Sequence, residues 1–132
     1  MAKKRYINTK FWSDSYIVNL DPLERYLFLY FLTNEHTDIS GIYELPLRRI
    51  AQETGLSEEM AETITKRFEK EGKIIIHNSW VYIKNFNKHQ VMNTSVRQGI
   101  KHSLSEVPKK ILNFFREADP DCNRLCTESD IS

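Results

Sequence analysis

Cysteine is almost missing from this chain of 132 residues, which holds two, and glycine and proline are sparse at four each. Cys122 and Cys126 both fall in the polar C-terminal stretch, where a disulfide would close a trivial loop and staple no core. A disulfide scaffold is thereby excluded. The cysteines also lack the C-x2-C spacing of a zinc site, and His36, His77, His89 and His102 are scattered singly, so neither a metal site nor a cofactor is expected. No run approaches the ~18 uninterrupted apolar residues of a membrane span. The N-terminus is basic, but no apolar stretch precedes Asn8 and Lys10. It does not read as a secretory signal, and a cytoplasmic protein is expected.

What is present is an ordinary globular composition, 40% apolar and 28% charged, in a length that suits one domain. The formal charge of +1 hides an asymmetry. Residues 1–10 carry Lys3, Lys4, Arg5 and Lys10 and no acid. Residues 84–112 carry Lys84, Lys88, Arg97, Lys101, Lys109 and Lys110 against Glu106 alone. Residues 117–132 reverse the sign, with five acids against Arg124. A basic body with an acidic tail suits a polyanionic partner, although a solvated charged face is the commoner reason for any single run.

Along the chain, residues 8–20 suit a short helix containing Phe11, Trp12, Tyr16 and Ile17. Asp21-Pro22-Leu23-Glu24 is a helix start: Asp accepts a first-turn N–H, Pro fills the first position and Glu reaches back. The helix over 23–33 is apolar almost all round, which makes it central or shared with a partner chain. Residues 41–45 read as a short strand closed by Pro46. A helix with Leu47, Ile50 and Ala51 on one face ends at Gly55, and Ser57 then caps another with Met60, Ala61, Ile64 and Phe68 inward, ending at Gly72. The short turn between them makes a helix-turn-helix unit. With Asn78-Ser79 as a two-residue turn, Ile76 faces Val81 and Ile74 faces Ile83 on the core side of a hairpin. The other side carries Lys73, Ile75, His77, Trp80, Tyr82 and Lys84. An irregular linker over 85–93 precedes a weak helix over 95–102 and a stronger amphipathic one over 105–118, with Val107, Ile111, Phe114, Phe115 and Ala118 inward and Pro108 in its first turn.

The order helix, short strand, helix, helix, hairpin is that of a winged helix. The expected fold is therefore mainly α with a small β-hairpin, a winged helix-turn-helix plus a C-terminal helix. Residues 1–104 would form that domain with a mobile basic N-terminal arm. Residues 105–118 would pack on it or on a partner, and 119–132 would be a disordered acidic tail. The stretches Lys10-Phe11-Trp12-Ser13-Asp14, Leu20-Asp21-Pro22-Leu23-Glu24-Arg25-Tyr26-Leu27-Phe28-Leu29-Tyr30 with Leu32-Thr33-Asn34, Gly41-Ile42-Tyr43-Glu44-Leu45-Pro46, and Trp80-Val81-Tyr82-Ile83-Lys84-Asn85-Phe86 resemble the N-terminal domain of phage replication initiators, or replisome organisers. These are similar to the N-terminal domain of the primosome protein DnaD. The resemblance spans roughly residues 5 to 115. It implies a domain that binds DNA or self-associates near a replication origin, in the bacterial host cytoplasm if phage-encoded. It also implies a separate C-terminal region that engages replication proteins such as the helicase or its loader, and which would lie beyond Ser132.

The second helix of such a motif usually enters the major groove by its N-terminus. Here that end carries Glu58, Glu59 and Glu62, which phosphates repel, while Thr63, Lys66, Arg67 and Lys70 come later. Contact with the DNA backbone is therefore favoured over base reading. Arg48 and Arg49 open the first helix of the motif, Lys73 and Lys84 flank the wing, and Lys3, Lys4 and Arg5 form the arm. The bland alternative has the glutamates offsetting the helix dipole and the cations pairing with Glu62, Glu69 and Glu71. Trp80 and Tyr82 can stack on bases, pack on the C-terminal helix or bury against a second subunit, and burial is the usual fate of strand aromatics. Tyr26, Tyr30, Trp80, Tyr82, Phe114 and Phe115 form the candidate surface for a dimer or other partner. No nucleophile elbow, phosphate-cradling glycine loop or paired-carboxylate context occurs, so an enzyme is not expected. A DNA-binding replication module, a transcriptional repressor on the same fold and an association module without DNA affinity remain as rivals.

Overall fold

The computed structural model describes residues 3–86 and 93–122. The protein is mainly helical, with one three-stranded antiparallel sheet. A 3-10 turn (Thr9–Ser13) leads into α1 (Ser15–Val18), α2 (Pro22–Thr33), β1 (Ile42–Glu44), α3 (Leu47–Thr54) and α4 (Glu58–Lys70). Then come β2 (Ile74–His77), β3 (Trp80–Ile83), α5 (Thr94–Glu106) and α6 (Lys109–Ala118). Among the described residues no helix is long and apolar enough to cross a membrane.

Helices begin where a side chain meets the free first-turn N–H groups. Asp21 accepts from the Glu24 amide while the Glu24 carboxylate accepts from the Asp21 amide, both at 2.9 Å, and Pro22 follows the cap. Ser57 accepts from the Met60 amide to start α4, and Gly55, at φ +81°, stops α3. The single helix expected over 8–20 is instead broken in two. Asn8 and Asp14 each accept the amide two residues on, from Lys10 and Tyr16, and the extended backbone at Asp14 interrupts the run.

The strands lie in the order β1-β3-β2. Ile74 pairs with Ile83 and Ile76 with Val81, around a turn in which Asn78 and Ser79 both have positive φ, the geometry that matches the twist of a hairpin. β1 adds to the free edge of β3, with Ile42 opposite Tyr82 and Tyr43 opposite Val81. Alternation then divides the sheet between two cores. Tyr43, Ile74, Val81 and Ile83 face Leu27 and Phe31 of α2 and Phe68 of α4. Ile42 and Tyr82 face Ile100 and Leu104 of α5 and Ile111 and Phe115 of α6. Each fully buried aliphatic or phenyl side chain stabilises the fold by ~1.5–3 kcal/mol, so both layers carry substantial weight.

Several expectations change. Met60 is 44% exposed and Thr65 takes the inward place, because Ala61, Ile64, Thr65 and Phe68 are the residues spaced to share one stripe of α4. α5 runs to Glu106, so the boundary expected between residues 104 and 105 falls inside one helix. α6 starts only at Lys109, since Pro108 holds the preceding Val107 extended, ψ 133°. The tail does not begin at Asp119. Tyr82 donates to the Asp119 carboxylate at 2.9 Å, Cys122 is buried beside it, and burial, helped by that hydrogen bond, pushes the Tyr82 phenol up. Most of the 85–93 linker, Cys126 and the tail beyond residue 122 lie outside the described residues. α2 is wrapped by the chain's own elements, with Leu27, Phe31 and Leu32 buried and only Leu23 and Tyr26 of its apolar side chains exposed.

Two glycines give a stability test. Gly41 sits at φ +82°, and a Cβ there would lie 2.9 Å from Phe86 Cβ and 3.3 Å from the Ile83 carbonyl. Gly99, inside α5, has nothing within 4 Å of that position. Gly41→Ala is expected to destabilise by ~2–3 kcal/mol through strain and overlap. Gly99→Ala should stabilise by ~0.5–1 kcal/mol through helix propensity. Urea midpoints for the two variants check the opposite signs.

Candidate nucleic-acid interface

Three segments distant in sequence converge at the base of the hairpin. Lys10 projects from the 3-10 turn, Lys73 follows Gly72 at the end of the α4 connection, and Lys84 follows β3. The Lys84 amide donates to the Lys73 carbonyl at 3.1 Å, which holds the two lysines side by side just past the last ladder pair. Together with Asn8, Asn85 and Tyr16 they line a concavity of about 270 Å³. Lys73 Nζ lies 4.6 Å from the centroid of the Tyr16 ring, a cation–π contact that orients the ammonium without neutralising it. The strands end at Ile74 and Ile83, so the alternation that assigned Lys73 and Lys84 to the Trp80 and Tyr82 side stops there. Both instead border the N-terminal segment.

Two of the three cations of α4 are otherwise engaged. Lys66 pairs with Glu62 at 2.9 Å, and Arg67 bridges Glu24 of the α2 capping box and Glu71. The hydrogen bond to Glu24 foremost raises the Arg67 pKa above its ordinary value. Thr63 is exposed but donates to the Glu59 carbonyl, and Lys70 is exposed on the last turn. Glu58 and Glu59 occupy the first turn, as the sequence requires. Arg48 and Arg49 lie on the first turn of α3, and Arg49 approaches Glu53 at 4.0 Å. Exposed pairs of this kind are weak and screened by salt.

The basic arm is pinned rather than free. Lys3 donates to the Thr37 carbonyl, and Arg5 donates to Thr37 Oγ1 and to the same carbonyl, both at 2.8 Å, while its guanidinium lies over Phe86. Lys4 remains exposed. Thr37 is buried, and its carbonyl is an acceptor the loop itself leaves available, which is the physical reason the arm docks there.

The aromatic surface expected for a partner divides. Tyr82 and Phe115 are buried in the chain's own second core and are not free to meet a partner, whereas Trp80 packs half-buried against that core. Phe114 is partly exposed and stacks on His77, ring centroids 3.8 Å apart and nearly parallel, which fastens the hairpin tip to α6. Tyr26 is 46% exposed with its hydroxyl on the Thr54 carbonyl. Tyr30 is half-buried and donates to Glu53 at 2.7 Å. Among the described residues Glu35, His36 and Glu53 also gather within ligand distance of one another. Hydrogen bonding accounts for the His36 and Glu53 part of it: although burial raises the Glu53 pKa, the bonds from His36 and Tyr30 outweigh it and leave the carboxyl below its ordinary value.

Lys10, Asn8 and Asn85 were not among the contact residues expected from the sequence. The one legible signal, the acid-free run of cations over residues 1–10, covers Asn8 and Lys10 and not Asn85. No protein-family model, no curated protein and no solved structure matches the chain.

Proposed function

We propose that the protein is a winged helix-turn-helix domain that binds duplex DNA through the phosphate backbone. The observation that carries this is the convergence of Lys10, Lys73 and Lys84 on one concave surface, with no ion pair among the described residues to neutralise them. Lys70 extends the basic surface from the end of α4. The element order and the strand order β1-β3-β2 support the winged-helix assignment, with α3 and α4, joined through Gly55, Leu56 and Ser57, as the helix-turn-helix. Acids at the start of α4 and internal pairing of Lys66 and Arg67 favour contact without base reading by that helix. The replication context follows from the resemblance to phage initiators alone, as does engagement of replication proteins.

The second reading is an association module. Exposed Trp12, Leu23, Tyr26 and Met60 favour self-association, and a dimer would also serve a DNA-binding role. One experiment separates the two. Anisotropy of a labelled duplex over a range of salt should give binding that weakens with a log–log slope of about −3 to −4, the release expected for roughly four neutralised phosphates. A stable oligomer by light scattering with no salt-sensitive DNA binding would leave the association module.

A further inference from the structure

We propose that the cavity bounded by Lys10, Lys73 and Lys84 is a receptor for a phosphate monoester, the group carried by a 5′-phosphorylated DNA end or by a free nucleotide. It deepens the backbone-binding assignment and rests on it. Charge is the first argument. Three lysines line the cavity with a single acidic residue, Asp14, whose Oδ1 already accepts the Tyr16 amide at 2.9 Å, a formal surplus of two positive charges. A backbone diester carries one negative charge, whereas a monoester carries about −1.5 to −2 at neutral pH and offers three terminal oxygens. The monoester is the better complement.

Surroundings and donors agree. The lining also includes Phe11 and Ile17, both buried, and Phe28. Apolar surroundings strengthen charge-assisted hydrogen bonds. Asn8 spends its Oδ1 on the Lys10 amide and keeps its NH2 group as a donor. Asn85, also in the lining, holds a left-handed backbone, φ +63°, uncommon for a residue with a side chain. Tyr16 contributes its ring alone, because its hydroxyl proton is donated to Glu71 at 2.7 Å.

The test compares three unlabelled duplexes of one sequence as competitors at fixed ionic strength: linear with 5′-phosphates, linear with 5′-hydroxyls, and closed at both ends by hairpins. The 5′-phosphorylated duplex should compete about tenfold better than the 5′-hydroxyl duplex, and Lys10→Gln or Lys84→Gln should erase that preference. Both lysines belong to exposed or turn positions, and circular dichroism of each variant verifies the fold. The closed duplex reports on backbone binding alone, so its failure to compete counts against the DNA assignment and not against the monoester site. Adenosine monophosphate and inorganic phosphate distinguish the sources: displacement by the nucleotide at concentrations where inorganic phosphate is silent assigns the site to a free nucleotide. Equal competition by the two linear duplexes, with no displacement by the nucleotide, overturns the proposal.

Discussion

Phe68→Ala should lower the free energy of unfolding by ~3–5 kcal/mol, a large part of the roughly 5–15 kcal/mol available to a domain of this size. Phe68 is fully buried on α4 and meets Phe28 and Phe31 of α2 edge-on, at centroid separations of 5.1 and 6.3 Å. The same layer receives Ile74, Val81 and Ile83 from the sheet, so Phe68 sits where α2, α4 and the hairpin meet. Its removal leaves a cavity lined by groups held from three directions, which cannot collapse without shifting a helix. Phe114→Ala is the contrast. That ring is 38% exposed and stacks on His77, so its loss should cost no more than ~1 kcal/mol. Urea denaturation of both variants measures the difference; a loss below ~1 kcal/mol for Phe68→Ala would mean that the helices are not held through this cluster.

The hairpin was legible in the sequence because a period of two leaves little freedom once Asn78-Ser79 is taken as the turn: the Ile76–Val81 and Ile74–Ile83 pairs follow. The start of α2 was equally legible, since Asp21, Pro22 and Glu24 act on neighbours and need no tertiary context. Phase was harder. Met60 and Ala61 differ by one position, about 100° around α4, and hydropathy alone placed both inward although Met60 is out in solvent. The docked arm and the lysine cavity were not legible. Arg5 finds Thr37, and Lys10 joins Lys73 and Lys84, only after the chain has folded, and no local pattern encodes an approach between segments so distant in sequence. The ordered turn at Asp119 was hidden for the same reason, because its partner Tyr82 belongs to the sheet.

Charge reversal at the cavity should have the largest effect on binding. In Lys73→Glu/Lys84→Glu, two cations proposed to meet the DNA backbone become two repelling carboxylates, and duplex affinity near 0.1 M salt should fall by about a hundredfold or more. The log–log salt slope should flatten by about two, one for each phosphate that no longer meets a cation. The necessary control is Lys109→Glu/Lys110→Glu at the start of α6, where both lysines are exposed and neither borders the cavity. Each Lys→Glu change removes two units of charge, so either pair takes the formal charge from +1 to −3, and the long-range field of the protein alters equally. A difference between the pairs therefore reports local contact and not net charge. Equal losses for both variants would mean that the DNA senses only the overall field, and the basic surface at the base of the hairpin would not be its seat.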